Sequence, residues 1–143
     1  MKLLIICTGN TCRSQMAHGF LESFDNRLTV RSAGTEASGK LNENAVEVMK
    51  DIGIDISHHT SDPVDKYLDE EWDYVITVCD KANEKCPAFL GKVKHRLHMG
   101  FDDPTYAEGS QEFIKSEYAR IRDEIKEELY KFYKNELEPA LSF

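Results

Sequence analysis

The sequence has no apolar run long enough to cross a membrane, and it is short of positive charge. Its longest purely aliphatic stretch covers residues 3–6, whereas a membrane-spanning helix needs about 20 apolar residues. Only 18 Lys and Arg oppose 26 Asp and Glu, which leaves a net charge of -8. Such a chain repels a polyanion and has no excess of cations to displace phosphate counterions. These deficits argue against a membrane protein and against nucleic acid as a partner.

The first residues also lack the full pattern of a secretory leader. Met1 and Lys2 resemble the start of one, but Gly9, Asn10 and Arg13 interrupt the apolar stretch before a leader-length hydrophobic segment forms. We therefore expect the mature chain to begin here and to stay in the cytoplasm.

Cysteine is scarce, with four in 143 residues, at positions 7, 12, 79 and 86. This is too few for a disulfide scaffold, and in a reducing compartment it favours reactive thiols or metal ligands. The length suits one core, since folding at this size removes about 70% of the unfolded surface from water. We predict a single domain over residues 1–143 and expect a monomer.

Four segments have the pattern of β-strands. Residues 3–6 and 74–78 are unbroken apolar runs, which is typical of central strands that are covered on both faces of a parallel sheet. Residues 28–32 and 93–98 alternate between apolar and polar side chains, as edge strands do. Placing the apolar strands inside predicts the spatial order 2-1-3-4, with strands 1 and 3 as neighbours.

Helical patterns lie between these strands. Apolar side chains at helical spacing mark residues 16–24, then 45–52 after a cap at Asn42, and finally 114–132. Strand alternating with helix predicts an α/β three-layer sandwich with a four-stranded parallel sheet. Ligands of such sheets bind beyond the carboxyl ends of the strands. After Pro139 we expect the chain to fray.

The segment from Cys7 to Ser14 joins a buried strand directly to a helix. Backbone N–H groups and the helix dipole can bind a tetrahedral oxyanion at such a turn if the loop curls tightly. Gly9 and Asn10 tolerate the positive φ that the curl requires, and Arg13 offers a fixed fork of donors. The predicted oxyanion site comprises Thr8, Gly9, Asn10, Thr11, Cys12, Arg13 and Ser14.

Cys7 ends the first strand and is the candidate nucleophile. N–H donors and a guanidinium should lower its pKa into the range of about 3.5 to 7.5 that activated cysteines show. A thiolate beneath a bound oxyanion is placed to attack phosphorus or arsenic. Ser14 can donate a hydrogen bond toward the sulfur, and Cys12 is expected mainly to pack.

These motifs together resemble one known family. The sequence is similar to the low-molecular-weight protein tyrosine phosphatase family over nearly the whole chain. The shared motifs are Cys7 and Arg13 with five residues between them, Ser14 directly after, and Asp103-Pro104 late in the chain. Within this family, the sequence resembles the thioredoxin-coupled arsenate reductases. The resemblance lies in residues 7–17, 32–34, 54–57, 59–62 and 100–104 and in the pair of Cys79 and Cys86.

The resemblance implies reduction of arsenate to arsenite, for arsenic detoxification, by a relay of three cysteines. Cys7 would attack arsenate, Cys79 would attack Cys7 and expel arsenite, and Cys86 would attack Cys79. Thioredoxin would reduce the final disulfide as an external reductant, and no tightly bound cofactor is expected. Phosphate or sulfate would mimic the substrate. Asp103 matches the general acid of the family, because a carboxylic acid eases the departure of an oxygen leaving group.

The resemblance also bears on potassium, which some members of the reductase branch bind through Asn, Glu, Ser and Asp. The matching positions here are Asn10, His18, Ser32 and Asp62. His18 in place of the carboxylate removes a hard oxygen ligand, which argues against potassium binding.

A zinc site is the other metal site that the sequence suggests. Cys79 and Cys86 precede His95 and His98, but six residues between the cysteines exceed the usual spacing of structural zinc ligands. The two histidines should also point to opposite faces of a strand. We therefore predict no metal site, and we expect His59 and its neighbour to be solvated or hydrogen-bonded rather than catalytic.

The spacing of Cys79 and Cys86 predicts a redox-dependent change of structure. Residues 80–85 have the pattern of a short helix, which would hold the two backbones roughly 10 Å apart. A disulfide needs Cα atoms within about 4.4 to 6.8 Å. The segment must therefore open on oxidation, and Pro87 disfavours helix at its far end. We predict a switch in residues 80–92 that carries Cys86 toward the surface.

Two other functions stay open. One is a tyrosine phosphatase whose extra thiols protect Cys7 from overoxidation, and Tyr106, three residues after Asp103, is reminiscent of tyrosines near the phosphatase acid. The other is a flavodoxin-like binding protein, because residues 8–11 resemble a flavin-phosphate loop. That reading leaves Cys7 and Arg13 without a role and lacks paired aromatic residues for the flavin.

Overall fold

A four-stranded parallel sheet forms the centre of the computed structural model, which describes residues 1–86, 89 and 91–141. The strands are β1 (Lys2–Cys7), β2 (Thr29–Gly34), β3 (Trp72–Thr77) and β4 (Val93–His98). Their order is β2-β1-β3-β4, and every neighbouring pair is parallel. The predicted order 2-1-3-4 is confirmed, and the predicted strands lie within two residues of the observed ones.

The helices follow the strands in the predicted alternation. They are α1 (Arg13–Phe24), α2 (Glu43–Lys50), α3 (Asp80–Lys85), α4 (Gln111–Phe132) and α5 (Glu138–Leu141), with short 3₁₀ turns at Val64–Tyr67 and Pro104–Tyr106. Asn42 caps α2 as predicted, because its side chain accepts a hydrogen bond from the N–H of Ala45 at 3.1 Å. Across the described part of the chain, no helix combines the length and apolar character needed to cross a membrane.

Helices cover both faces of the sheet. Side chains alternate between the faces along β3, so Tyr74 and Val75 lie on opposite sides. The ring of Phe132, at the end of α4, packs edge-on against Tyr74 at 5.2 Å. Cys86, at the end of α3, lines a cavity with Val75 and Thr77 instead. Helices α3 and α4 therefore lie on opposite faces, which gives the three predicted layers, and residues 3–6 between them are fully buried.

The carboxyl-terminal turns are ordered further than expected. After α4 the chain continues through a π-helical turn, Tyr133–Leu137, directly into α5. The Tyr133 hydroxyl donates to Asp25 at 2.8 Å, and Arg27 donates to the carbonyl of Leu141 at 2.9 Å. The expectation that the chain frays after Pro139 is therefore wrong as far as Leu141, because these contacts tie the last turns to the start of β2. Residues 142–143 lie outside the described residues.

Candidate active site

The candidate site lies where β1 and β3 end. Cys7 is the last residue of β1, and Cys79 follows β3 by two positions. The N–H of Val78 donates to the carbonyl of Ile6 at 3.0 Å, and this hydrogen bond aligns the two strand ends. The Thr8 hydroxyl oxygen lies 3.3 Å from the sulfur of Cys79. The parallel pairing thus brings two cysteines together that are far apart in the sequence.

The loop after β1 turns its carbonyl groups outward. The carbonyls of Cys7, Thr8, Gly9 and Thr11 accept hydrogen bonds of 2.9–3.1 Å from backbone N–H groups in residues 35–42. In a planar trans peptide the N–H of the next residue points the opposite way from the carbonyl. The N–H groups that follow these carbonyls therefore face the inside of the loop, and they belong to Thr8, Gly9, Asn10 and Cys12. This arrangement suits an oxyanion.

Asn10 fixes the curl of the loop. Its φ is 53°, in the left-handed region that Asn tolerates better than most residues. The side chain is fully buried, donates to the hydroxyl of Ser14 at 2.8 Å and accepts from the N–H of Asp62 at 2.9 Å. The prediction of positive φ is correct for Asn10 and wrong for Gly9, because the single left-handed residue makes the turn by itself.

Gly34 lets the end of β2 approach this loop. A Cβ atom at this position would lie 2.5 Å from the carbonyl oxygen of Thr8, a distance that real Cβ atoms do not reach. Its own N–H donates to the carbonyl of Asp62 at 2.9 Å. Glycine is therefore required here for close backbone packing rather than for an unusual φ.

Arg13 connects the loop to the segment that carries Asp103. Its guanidinium donates to the carbonyl of Phe101 at 2.9 Å and lies 3.4 Å from a carboxylate oxygen of Asp103. The other carboxylate oxygen accepts from the backbone and hydroxyl of Thr105 at 3.0 and 2.7 Å. Arg13 and Asp103, predicted as anion ligand and general acid, thus lie side by side.

A cavity of about 560 Å³ opens next to this pair. It contains cationic and anionic side chains, and the exposed ring of Tyr106 stands at its edge. Its lining consists of Thr8, Arg13, Cys79, Asp80, Lys81, Gly100, Phe101, Asp102, Asp103 and Tyr106. Cys7 is only 5% exposed and lies beneath the loop, while Cys12 and Ser14 are buried at the start of α1. A small tetrahedral anion fits this space.

The two neighbouring thiols affect each other's ionisation. The hydrogen bond with Cys79, and then burial, raise the pKa of the Cys7 thiol, although Arg13 and the N–H of Thr8 act in the opposite direction. The pKa of Cys79 is lowered to about 5, chiefly by the hydrogen bond with Cys7 and, against burial, also by Thr8 and Arg13.

Because the two hydrogen-bonded thiols titrate as a pair, the low pKa expected for Cys7 stays a prediction. The two sulfurs share one proton, and the sulfur that receives more hydrogen bonds is the more easily ionised in this arrangement. That sulfur is Cys79. Cys12 behaves as a packing residue, as predicted, and burial raises its pKa to about 12.

Helix α3 spans the interval between Cys79 and Cys86, as predicted. Its first residue, Asp80, lies 2.8 Å from one ring nitrogen of His98, whose other ring nitrogen lies 2.8 Å from the hydroxyl of Thr77. Cys86 is half-buried, and burial raises the pKa of its thiol. With an intact helix the two cysteine backbones are separated by about 10 Å. The predicted unwinding at Pro87 lies outside the described residues.

The residues considered for zinc do not converge. His95 stacks on Tyr74 at 4.7 Å, whereas His98 contacts Thr77 on the opposite face of the sheet. This agrees with the opposite orientations predicted from the strand alternation.

The residues that match the potassium ligands are paired with one another. His18 lies 2.9 Å from the hydroxyl of Ser32, and the amide oxygen of Asn10 accepts from the N–H of Asp62. A carboxylate oxygen of Asp62 accepts from Thr60 at 2.7 Å. Ser32 and Asn10 thus have hydrogen-bond partners, and His18 stands where a carboxylate ligand is expected, so the expectation against potassium stays a prediction.

The sequence analysis missed a cluster beside these residues, formed by His18, Glu22 and His59. The imidazole rings of the two histidines stack at 4.1 Å. Burial lowers the pKa of His18 to about 3 and that of His59 to about 4, so both rings are neutral at pH 7. The four-residue spacing of His18 and Glu22 was visible in the sequence, but only the fold brings His59 to them.

The comparison with known families assigns the chain. Residues 2–140 match the model of the low molecular weight phosphotyrosine protein phosphatases. The chain belongs to this family. Several relatives of the chain are named arsenate reductase. The protein from Halalkalibacterium halodurans is 48% identical over 124 residues, covering 86% of this chain and 88% of that protein. The protein from Bacillus subtilis is 47% identical over 131 residues, covering 91% and 93%.

Solved structures of the family have the same fold. An arsenate reductase in its phosphate-binding state matches with a TM-score of 0.77 and 28% identity, covering 93% of this chain and 96% of that one. The YwlE arginine phosphatase, as a C7S mutant with a phosphorylated active-site serine, matches with a TM-score of 0.72 and 27% identity, covering 96% and 98%. This family member is therefore an enzyme of the low-molecular-weight phosphatase fold.

Proposed function

We propose that this enzyme reduces arsenate to arsenite through a relay of Cys7, Cys79 and Cys86, with thioredoxin as the external reductant and no tightly bound cofactor. The observation that carries the proposal is the position of Cys7 and Cys79 at the neighbouring ends of β1 and β3, where the two thiols are hydrogen-bonded. A hydrolytic phosphatase needs one thiol, whereas a reductase must supply two electrons from a second thiol within reach of the first. The relatives named arsenate reductase support the choice of substrate. We also propose a cytoplasmic, monomeric protein.

In the first step the inward N–H groups of the loop and Arg13 bind the oxyanion, as they would bind phosphate or sulfate. The proton that the two sulfurs share moves to Cys79, so that Cys7 becomes the nucleophile. Its sulfur forms a bond to arsenic, and one arsenic–oxygen bond breaks. Asp103, which lies next to Arg13, donates a proton to the departing oxygen, which leaves as water.

In the second step Cys79 attacks the sulfur of Cys7. Its proton passes to an arsenate oxygen, and Thr8 and Arg13, which also lower the pKa of this thiol, favour the thiolate that attacks. The new disulfide bond forms while the sulfur–arsenic bond breaks, and the electron pair of that bond stays on arsenic. Arsenic is thereby reduced from the +5 to the +3 state as arsenite leaves.

In the third step Cys86 attacks Cys79 and releases Cys7 as a thiolate. Because α3 separates the two backbones by about 10 Å and a disulfide needs roughly 4.4 to 6.8 Å, the helix must open at this point. Two thiols of thioredoxin then reduce the disulfide between Cys79 and Cys86 by exchange.

The test compares arsenate reduction with phosphatase activity in the same proteins. Wild type and the Cys79→Ser and Cys86→Ser variants receive thioredoxin, its reductase and arsenate, and each also receives p-nitrophenyl phosphate as an internal control of the anion loop. We expect either substitution to abolish arsenate-dependent turnover while hydrolysis persists, and Cys7→Ser to lose both. Repeated turnover by Cys86→Ser with thioredoxin would contradict the relay.

A phosphatase with protective thiols is the second candidate. The match to the model of the phosphotyrosine protein phosphatases supports it, and Asp103 beside Arg13 at the cavity supplies the acid that hydrolysis of a phosphoester needs. This alternative requires hydrolysis of a phosphotyrosine substrate by wild type without any arsenate-dependent consumption of thioredoxin. The same assay therefore distinguishes the two functions.

A further inference from the structure

Three side chains with metal-binding atoms converge on one side of α1. A carboxylate oxygen of Glu22 lies 2.6 Å from Nε2 of His18 and 3.3 Å from Nε2 of His59. The ligand atoms of the three residues all lie within 4.8 Å of one another. His18 and Glu22 occur one helical turn apart on the same face, and His59 reaches them from the loop after α2.

The orientation of His59 is determined by Gln15. The amide nitrogen of Gln15 donates to the carbonyls of Asn10 and Thr60 at 3.0 and 2.9 Å. Its amide oxygen therefore faces Nδ1 of His59, at 3.0 Å, and can only accept. In the neutral ring Nδ1 must then carry the hydrogen, which leaves a lone pair on Nε2 that faces the carboxylate of Glu22. A nitrogen and a carboxylate oxygen that face each other at 3.3 Å need a cation between them, which is either a second ring proton or a metal ion.

We propose that His18, Glu22 and His59 bind a divalent first-row transition metal ion such as Zn²⁺, with water as a fourth ligand. Bonds of about 2.0 to 2.1 Å in a tetrahedron place ligand atoms roughly 3.3 Å apart. The separation of Glu22 from His59 is 3.3 Å, whereas its separation from His18 is 2.6 Å and must lengthen when the ion binds. Two imidazoles and one carboxylate suit such ions better than potassium or calcium. The stacked rings, now 22° from parallel, must tilt so that both Nε2 atoms point at the ion.

The surroundings match those of protein metal sites. A ligating imidazole usually uses its other nitrogen in a hydrogen bond that holds the ring in place. Here Gln15 holds His59 in this way, and the hydroxyl of Ser32 lies 2.9 Å from Nδ1 of His18. An open cavity of about 280 Å³ includes all three proposed ligands and gives room for the water.

The charges around this cavity do not by themselves attract a cation. Arg31 and Lys66 line it together with Asp62. Lys66 lies 3.9 Å from the carboxylate of Asp62, and Arg31 donates to the carbonyl of Val30 at 2.8 Å. The affinity for a metal ion must therefore come from direct bonds to the two imidazoles. Such binding is independent of arsenate reduction, because none of the three ligands belongs to the thiol relay.

Cobalt provides a spectroscopic test, since Co²⁺ occupies zinc-type sites and absorbs visible light. The reduced protein is titrated with Co²⁺, and the visible d–d bands are compared among wild type, His18→Ala, His59→Ala and Glu22→Gln. We expect one equivalent to bind wild type. Changing a hydrogen-bond partner of a ligand typically costs about 10 to 100-fold in affinity, so loss of a ligand should cost at least about tenfold. His95→Ala is the matched histidine control, because His95 does not belong to the proposed site. This variant should bind Co²⁺ as wild type does.

The same spectra identify metal binding elsewhere. If Co²⁺ bound the cysteines, sulfur-to-cobalt charge-transfer bands would appear in the near ultraviolet and would persist in the histidine variants, and this result would overturn the proposal. Equal affinity of wild type and His59→Ala, or no visible bands in wild type, would overturn it as well. Far-ultraviolet circular dichroism checks folding. Because the Glu22 side chain is 44% exposed and the change conserves its size, Glu22→Gln keeps the test valid if a histidine variant unfolds.

Discussion

Replacing Cys7 by Ala should raise the pKa of Cys79. The hydrogen bond with Cys7 is the main reason that the pKa of Cys79 falls from 9.0 to about 5. Thr8, the N–H of Ala82 and Arg13 act in the same direction more weakly, and burial acts against them. Without the S–H group of Cys7, burial is opposed by the weaker contributions alone, so the pKa should move upward toward its ordinary value.

The expected change is large enough to measure. Near pH 6.5 a thiol with a pKa of about 5 is roughly 97% ionised, whereas one with the ordinary value of about 9 is roughly 0.3% ionised. Between these limits the thiolate population differs by about 300-fold. Even a rise of the pKa by about two would leave only about a quarter of the molecules ionised at that pH.

The ultraviolet absorbance of the thiolate, recorded against pH, measures this population. Wild type should lose the absorbance of one thiolate with a midpoint near 5 as the pH falls, and Cys7→Ala should lose it at a higher pH. Cys86→Ser is the matched control, because burial raises the pKa of Cys86 and this thiol does not ionise in the same range. An unchanged midpoint in Cys7→Ala would refute the shared proton. It would mean that Arg13 and the N–H groups alone lower the pKa of Cys79.

Four further predictions concern the loop, the helix and the core. Asn10→Ala should lower the free energy of unfolding in urea by about 2 to 4 kcal/mol, because the buried Ser14 and the half-buried Asp62 lose their hydrogen bonds and alanine is strained at φ 53°. Gly34→Ala should weaken competitive inhibition by phosphate on the order of 100-fold, because its Cβ would displace the loop at Thr8. His98→Ala should accelerate amide exchange in α3 while leaving β1 unchanged, because it removes the contact with Asp80. Phe20→Ala should lower the free energy of unfolding by about 3 to 5 kcal/mol, since Phe20 is fully buried.

Each of these predictions has a discriminating outcome. Asn10→Gly retains the left-handed φ, so equal losses for the Gly and Ala variants would show that backbone strain plays no part. Unchanged inhibition in Gly34→Ala would mean that the loop does not bind the anion. Uniformly faster exchange in His98→Ala would indicate global destabilisation, and a loss below about 1 kcal/mol for Phe20→Ala would contradict its place in the core.

The sheet and the loop could be predicted from the sequence because both depend on local patterns. Unbroken apolar runs are expected only where both faces of a strand are covered, and this distinguishes β1 and β3 from the alternating β2 and β4. The segment from Cys7 to Arg13 also shows its anion-binding character locally, since the strand, the turn residue Asn10 and the helix start are consecutive.

The features that could not be predicted depend on contacts between distant residues. The charge on Cys79 arises from its contact with Cys7, and no property of either residue alone indicates which sulfur keeps the proton. His59 joins His18 only after the fold closes. The ordered turns after Phe132 likewise depend on Tyr133 reaching Asp25 at the opposite end of the chain.

Helix α3 also determines what happens to an idle molecule in the presence of a mild oxidant. While the helix is intact, Cys86 is too far from Cys79 to pair with it, but the thiols of Cys7 and Cys79 are hydrogen-bonded to each other. Stray oxidation is therefore expected to join Cys7 and Cys79, which is the first disulfide of the proposed relay, and in that relay Cys86 and a dithiol reductant would reverse it. In the proposed relay, the length of the helix thus directs accidental oxidation to a disulfide that Cys86 can resolve.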